Sequence, residues 1–249
     1  MNEHRPNIHA LMPPVIKNLL IINGIMLLAT YVLQQTGGID LTEVLGLFYF
    51  RSENFRVWQV VTHIFMHGGI LHLLSNMFAL WMLGATLEQF FGSRKFLEYY
   101  LLTGIGAAVL HTLVNYYLAS QLIPNIEPRM VQEVMDNGIN LLHNNRNYTG
   151  DAGKLNLIYN VPTVGASGAV FGVLFAFGWL FPNTKLFIIP IPFPIKAKYF
   201  VIGYALFELY SGVAANPGDN IAHFAHIGGM IIGFLLMKIW KVRRPYDYF

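Results

Sequence analysis

Long apolar stretches recur along this 249-residue chain and carry almost no charge. A single water-soluble core cannot take them all in, whereas a stretch of about 20 apolar residues is what a helix needs to cross roughly 30 Å of hydrocarbon. Composition points the same way, with 55% hydrophobic residues, 12% charged residues and a mean hydropathy of +0.47. Long uncharged runs of this kind point to a polytopic membrane protein, and the length suits a single bundle of spanning helices. The expected fold class is an all-α membrane protein, a bundle of six transmembrane helices.

The first helix is expected from 15 to 34 or 35, closed by Gly37 and Gly38. Residues 39–62 interleave Asp40, Glu43, Arg51, Glu53, Arg56 and Trp58 with Leu and Phe, a pattern suited to a structured segment in the membrane interface. A second helix is expected over 70–87, ending at Glu88 before a turn with Gly92, Arg94 and Lys95, and a third over 96–118. Residues 119–162 turn to Asn, Asp, Glu, Pro and Gly, an outer loop long enough that a functional or partly helical role is expected rather than a plain connector. The remaining helices are expected over 165–181, 199–214 and 221–240, joined by a Pro-rich turn at 182–198 and by Asn216-Pro217-Gly218-Asp219. The chain thus divides into an N-terminal tail (1–14), a membrane domain (15–240, with interfacial segment 37–62 and outer loop 119–162) and a basic tail (241–249).

Arg5, Lys17, Arg94, Lys95, Lys185, Lys196, Lys198, Lys238, Lys241, Arg243 and Arg244 all flank connections on one side of such a bundle. By the positive-inside bias that side is cytoplasmic, which gives an N-in, C-in topology. The net charge of +3 is spread over these turns instead of forming one aromatic-laced patch, so no nucleic-acid partner is expected. With no cysteine, neither disulfides nor thiol chemistry is available. The N-terminus does not read as a signal or transit peptide, and the membrane expected is a bacterial plasma membrane.

Within this scaffold, Gly165-Ala166-Ser167-Gly168-Ala169-Val170-Phe171-Gly172 places one hydroxyl at the outer start of the fourth helix. A helix N-terminus offers free N–H groups to developing negative charge, and flanking glycines allow close approach. Gly168 and Gly172 equally make a small-residue stripe for helix packing. The second and sixth helices also start outside, which brings His72, Asn76, His223 and His226 to the depth of Ser167. Polar groups at such depth are costly unless they face the bundle interior or water. Ala225, Gly229 and Gly233 form a stripe matching that of the fourth helix, and contact there would carry the His226 imidazole to the Ser167 hydroxyl. No Asp or Glu stands beside His226 in sequence, so a Ser–His dyad is expected, with Glu208 read as a paired structural group. The rival is a metal site drawing on His63, His67, His72, His223 and His226, although no HExxH motif is present.

The combination of HGGILHLLSN at 67–76, GASGAVFG at 165–172 and AHIGGMIIG at 225–233 resembles the rhomboid intramembrane serine proteases. The resemblance covers 16–240. It implies hydrolysis of a peptide bond in or near the transmembrane segment of a membrane-protein substrate, without a cofactor or metal. It also implies Ser167 as nucleophile, His226 as general base, and His72 and Asn76 as oxyanion-stabilising side chains together with the Ser167 N–H. Gly165 and Phe171 then stand as supporting residues. A non-enzymatic relative would be expected to lack the Ser or the His, and both are present. Two positions depart from the family: Gln59 follows Trp58 where Arg is frequent, and Phe171 stands where Tyr is common.

Overall fold

The computed structural model describes residues 12–187, 193–214 and 222–244. The turn expected at 216–219 and most of both tails lie outside those residues. Among the described residues each of the six expected helices forms. They are α1 (Pro14–Gly37), α4 (Ile70–Phe91), α5 (Ser93–Leu122), α8 (Ser167–Leu180), α9 (Ala197–Ala214) and α10 (His223–Ile239). Between them lie the short α2 (Leu41–Leu45) and α3 (Gln59–Thr62), the hairpin of α6 (Pro128–His143) and α7 (Gly150–Asn160), and a two-stranded antiparallel pair, β1 (Lys185–Leu186) with β2 (Ile195–Lys196). Three spans, Pro14–Gly37, Ile70–Phe91 and Ser93–Asn125, are long and apolar enough to cross a membrane, while Ser167–Leu180 and His223–Ile239 are shorter apolar helices.

The apolar surface is arranged for lipid, not water. Ile21, Ile25 and Leu28 on α1, Leu71, Leu74 and Phe78 on α4, and Ile202, Leu206 and Tyr210 on α9 all point outward. In hydrocarbon such faces need no cover, so the buried groups are those that pack helix on helix.

Helix α8 lies at the centre. It is apolar all round and nearly every residue is buried, as expected of a helix enclosed by others. Neighbours approach it through small residues: Gly168 faces Ala107 of α5, Gly172 faces Thr103, and Gly178 faces Val201 of α9. The tightest seam is with α10, where a Cβ added to Gly229 would lie 1.9 Å from the Gly168 carbonyl oxygen and one added to Gly233 would lie 3.3 Å from the Gly172 Cα. The glycine stripes of 165–172 and 225–233 therefore meet, as their spacing predicts.

Helix α1 is fastened at its start. Glu88, 2% exposed, accepts the N–H groups of Val15 (3.0 Å) and Ile16 (2.9 Å) and the Ser93 hydroxyl (2.6 Å). One carboxylate thus serves orphan donors of a helix N-terminus and holds the turn into α5, where Gly92 has φ +78. In the interfacial segment, Gln59 is buried and works as a neutral clamp. Its Oε1 accepts Arg56 N–H (3.0 Å) and Phe48 N–H (3.4 Å), while Nε2 donates to Asn54 O (3.1 Å) and Val44 O (3.4 Å). The loop is organised by amide hydrogen bonds at the position where the family often has a charge.

Residues 119–162 are mostly helical. Helix α5 continues to Leu122, and α6 and α7 pack through Val134, Leu155 and Tyr159 against Tyr49 and Ala119. Asn156 and Asn160 tie the hairpin together, bonding Gly138 O (3.2 Å), Val134 O (2.9 Å) and each other (2.8 Å). His143 pairs with Glu43 of the interfacial segment, and Leu47 bridges to Thr163. The hairpin is therefore anchored to the segment that leads into the site.

Candidate active site

Ser167 is the first residue of α8. The first bond of the helical ladder runs from Val170 N–H to Ala166 O (2.9 Å), so the N–H groups of Ser167, Gly168 and Ala169 precede it. The approach is shaped by Gly165, whose φ of +128 suits glycine and whose N–H donates to His63 O (3.0 Å). A Cβ there would lie 2.9 Å from Cε1 and 3.0 Å from Nε2 of His72, and 3.7 Å from Ser167 Oγ. The His72 ring and the serine hydroxyl thus flank the same glycine.

His226, 8% exposed and one turn into α10, has Nε2 at 2.8 Å from Ser167 Oγ. Phe171, one turn along α8 from the serine, stacks on the imidazole with centroids 4.1 Å apart and planes inclined by 5°. The phenyl ring packs on the imidazole without a hydroxyl. The other face of the site is drawn by α4. Gly68 N–H donates to His72 Nδ1 (3.4 Å), which leaves the proton of a neutral ring on Nε2, the atom beside Gly165. Asn76, buried, donates one amide N–H to His72 O (3.1 Å) and has a second to offer. His67 packs edge-on against His72 at 5.0 Å, and burial followed by the neighbouring His72 pulls it down to about 4, so it is neutral at pH 7.

One contact goes beyond what the sequence foresees. No carboxylate is near His226 in sequence, yet Glu208 of α9, 2% exposed, brings Oε2 to 2.9 Å from His226 Nδ1 and 2.6 Å from His223 Nδ1. It is paired, as expected, but also touches the candidate base. The first contact is at ion-pair distance without hydrogen-bond alignment, while the second is a hydrogen bond. The cause is tertiary: α9 packs along α10, and nothing local in sequence reports that register. The five histidines of the metal alternative are split by the fold. His223 and His226 join Glu208, with ligand-type atoms within 4.8 Å of one another, apart from His63, His67 and His72. Two His and a carboxylate make a zinc-type donor set, but the 2.6 and 2.9 Å contacts are shorter than the ~3.3 Å between two ligands on tetrahedral zinc.

The fold and the site define a class: a helical membrane protein with a serine at the N-terminus of a buried helix, in contact with a histidine from a neighbouring helix. The rhomboid domain model matches residues 54–241, and the chain belongs to the rhomboid family, integral membrane proteins that include intramembrane proteases. It is similar to RHOMBOID-like protein 1 of Arabidopsis thaliana, 26% identical over 87% of this chain and 41% of that protein. It is also similar to Rhomboid protease GluP of Bacillus subtilis, 27% identical over 85% of this chain and 32% of that one. A third relative, mitochondrial Rhomboid protein 1 of Saccharomyces cerevisiae, is 26% identical over 71% of this chain and 40% of its own length. The chain spans less than half the length of these relatives.

Proposed function

We propose that the protein is an intramembrane serine endopeptidase that hydrolyses peptide bonds in or near the transmembrane segments of membrane-protein substrates. The observation that carries this reading is the 2.8 Å contact between Ser167 Oγ and His226 Nε2, made at the N-terminus of a buried helix. His226 takes the hydroxyl proton as Oγ attacks the scissile carbonyl, and returns it to the leaving amine. The oxyanion is met by the Ser167 N–H, by His72 Nε2–H and by the Asn76 amide, donors already aimed by their own elements. Water activated by the same imidazole then releases the acyl group, and no cofactor is needed.

The bundle spans the membrane six times with both termini on the cytoplasmic side, in a bacterial plasma membrane, and the site opens towards the outer face. Helix α8, 14 residues or about 21 Å long, is shorter than the hydrocarbon is thick, which supports a recessed serine reached from outside.

Purified protein incubated with a single-pass reporter and a serine-directed phosphonate probe tests the reading. Wild type is expected to cleave and to be labelled, whereas Ser167→Ala and His226→Ala stay folded and each lose at least about 10³-fold in turnover. Ser167→Ala cleaving near the wild-type rate would exclude Ser167 as nucleophile.

A further inference from the structure

Glu208 lies on α9 with its carboxylate almost wholly enclosed, against two histidines of α10. A buried charge at this depth is costly unless compensated, and His223 and His226 supply that compensation. Holding α9 to α10 would need only one of them. Oε2 instead lies between both Nδ1 atoms, and the second belongs to the imidazole whose other nitrogen faces Ser167.

We propose that Glu208 is a positioning residue for His226, extending the Ser167–His226 pair to a three-member constellation buttressed by His223. The proposal rests on the peptidase reading above. For Nε2 to accept the serine proton, the neutral ring must carry its hydrogen on Nδ1, and a carboxylate beside Nδ1 selects that tautomer. When the proton moves from Oγ to Nε2, His226 becomes an imidazolium, and the carboxylate 2.9 Å away stabilises the charge without taking a proton itself. The contact is short but off-axis in the substrate-free site, as catalytic hydrogen bonds often are before substrate aligns them. His223 holds the same oxygen at 2.6 Å and limits its swing, and Tyr204, one turn away on α9, is a further titratable group beside the carboxylate among the described residues. Phe171 fixes the plane of the imidazole, so Glu208 has only its tautomer and in-plane rotation left to define.

The test uses the full chain in detergent and reads kcat, KM, phosphonate labelling rate and thermal midpoint for Glu208→Gln and Glu208→Asp. The glutamine can present an amide donor to Nδ1 and so favours the wrong tautomer. It is expected to lower kcat and labelling at least about tenfold with KM within about twofold, and Glu208→Asp, still anionic, is expected to recover part of the loss. In a His226→Ala background the same glutamine change is expected to have no further effect on labelling, because the two residues act as a unit. A merely structural Glu208 would lower the folded fraction while leaving the rate per folded molecule intact. The proposal is overturned if Glu208→Gln keeps kcat within about twofold per folded molecule, or, where glutamine does not fold, if Glu208→Asp labels at the wild-type rate. It is equally overturned if a chelator removes wild-type activity and zinc restores it, since the three side chains would then be a metal site. Wild type that neither cleaves nor labels sinks the peptidase reading itself, whereas an active wild type with an indifferent Glu208→Gln sinks this proposal alone.

Discussion

His226 is fixed by three neighbours of different chemistry: a hydroxyl on one nitrogen, a carboxylate near the other, and a phenyl ring over its face. Asn76 is the side chain whose contribution is least obvious from its contacts, because one N–H already serves the His72 carbonyl and only the other is left for an oxyanion. Asn76→Ala is therefore expected to lower kcat by up to about 10²-fold, less than loss of Ser167, with the backbone N–H and His72 still present. Turnover equal to wild type in steady-state cleavage would remove Asn76 from the oxyanion site. Ser167, His226, His72 and Asn76 can be proposed from the sequence because each lies near the start of an apolar run, where the expected topology puts them at one depth. Glu208 was not, because it sits within its helix with no motif around it, and only the packing of α9 on α10 gives it a partner. Gln59 is the reverse case. Its departure from the family pattern was visible, but that four hydrogen bonds replace the charge depends on where the surrounding carbonyls lie.

The elements that matter most are α8 and α10, because their contact joins Ser167 to His226. At Gly229 an added Cβ would meet the Gly168 carbonyl oxygen at 1.9 Å, and neither backbone can yield without moving its helix. Gly229→Ala is therefore expected to cost about 1–3 kcal/mol of stability. It is also expected to lower kcat by about 10²-fold, since His226 lies one turn away and a shift of about 1 Å at a reacting group has that effect. Gly24→Ala on α1, where nothing lies within 4 Å, is the control and is expected to be neutral or slightly stabilising. Thermal melts and cleavage kinetics on the two variants check this, and equal behaviour would mean that the seam does not set the site. The small-residue stripes announced this contact because a four-residue glycine spacing has few other uses in an apolar helix. The α6–α7 hairpin was less visible. Its length allows a partly helical role, but the asparagine ladder and the small core shared with Tyr49 that hold its two helices have no local signature.

Across the whole molecule, apolar side chains cover the flanks and basic residues gather at the end away from the site. Lys95 lies over the Trp240 ring at 5.1 Å, and Arg244 and Lys238 lie over Trp179 at 4.7 and 5.7 Å. Aromatic rings joined to cations suit a membrane interface, where ring and charge each find their own medium. This end holds the α4–α5 turn and the C-terminal ends of α8 and α10, whereas Ser167 and the α6–α7 hairpin belong to the opposite end. These 249 residues hold no cysteine, so a single cysteine introduced among them gives a defined thiol by which orientation is measured. Arg94→Cys, in the first turn of α5, and Arg146→Cys, in the α6–α7 hairpin, remove the same charge from exposed positions at opposite ends. In intact cells an impermeant maleimide is expected to label Arg146→Cys and to reach Arg94→Cys only after permeabilisation. Labelling in the opposite order would invert the bundle and put Ser167 on the cytoplasmic side, and labelling of both before permeabilisation would mean that the two ends are not separated by a bilayer at all.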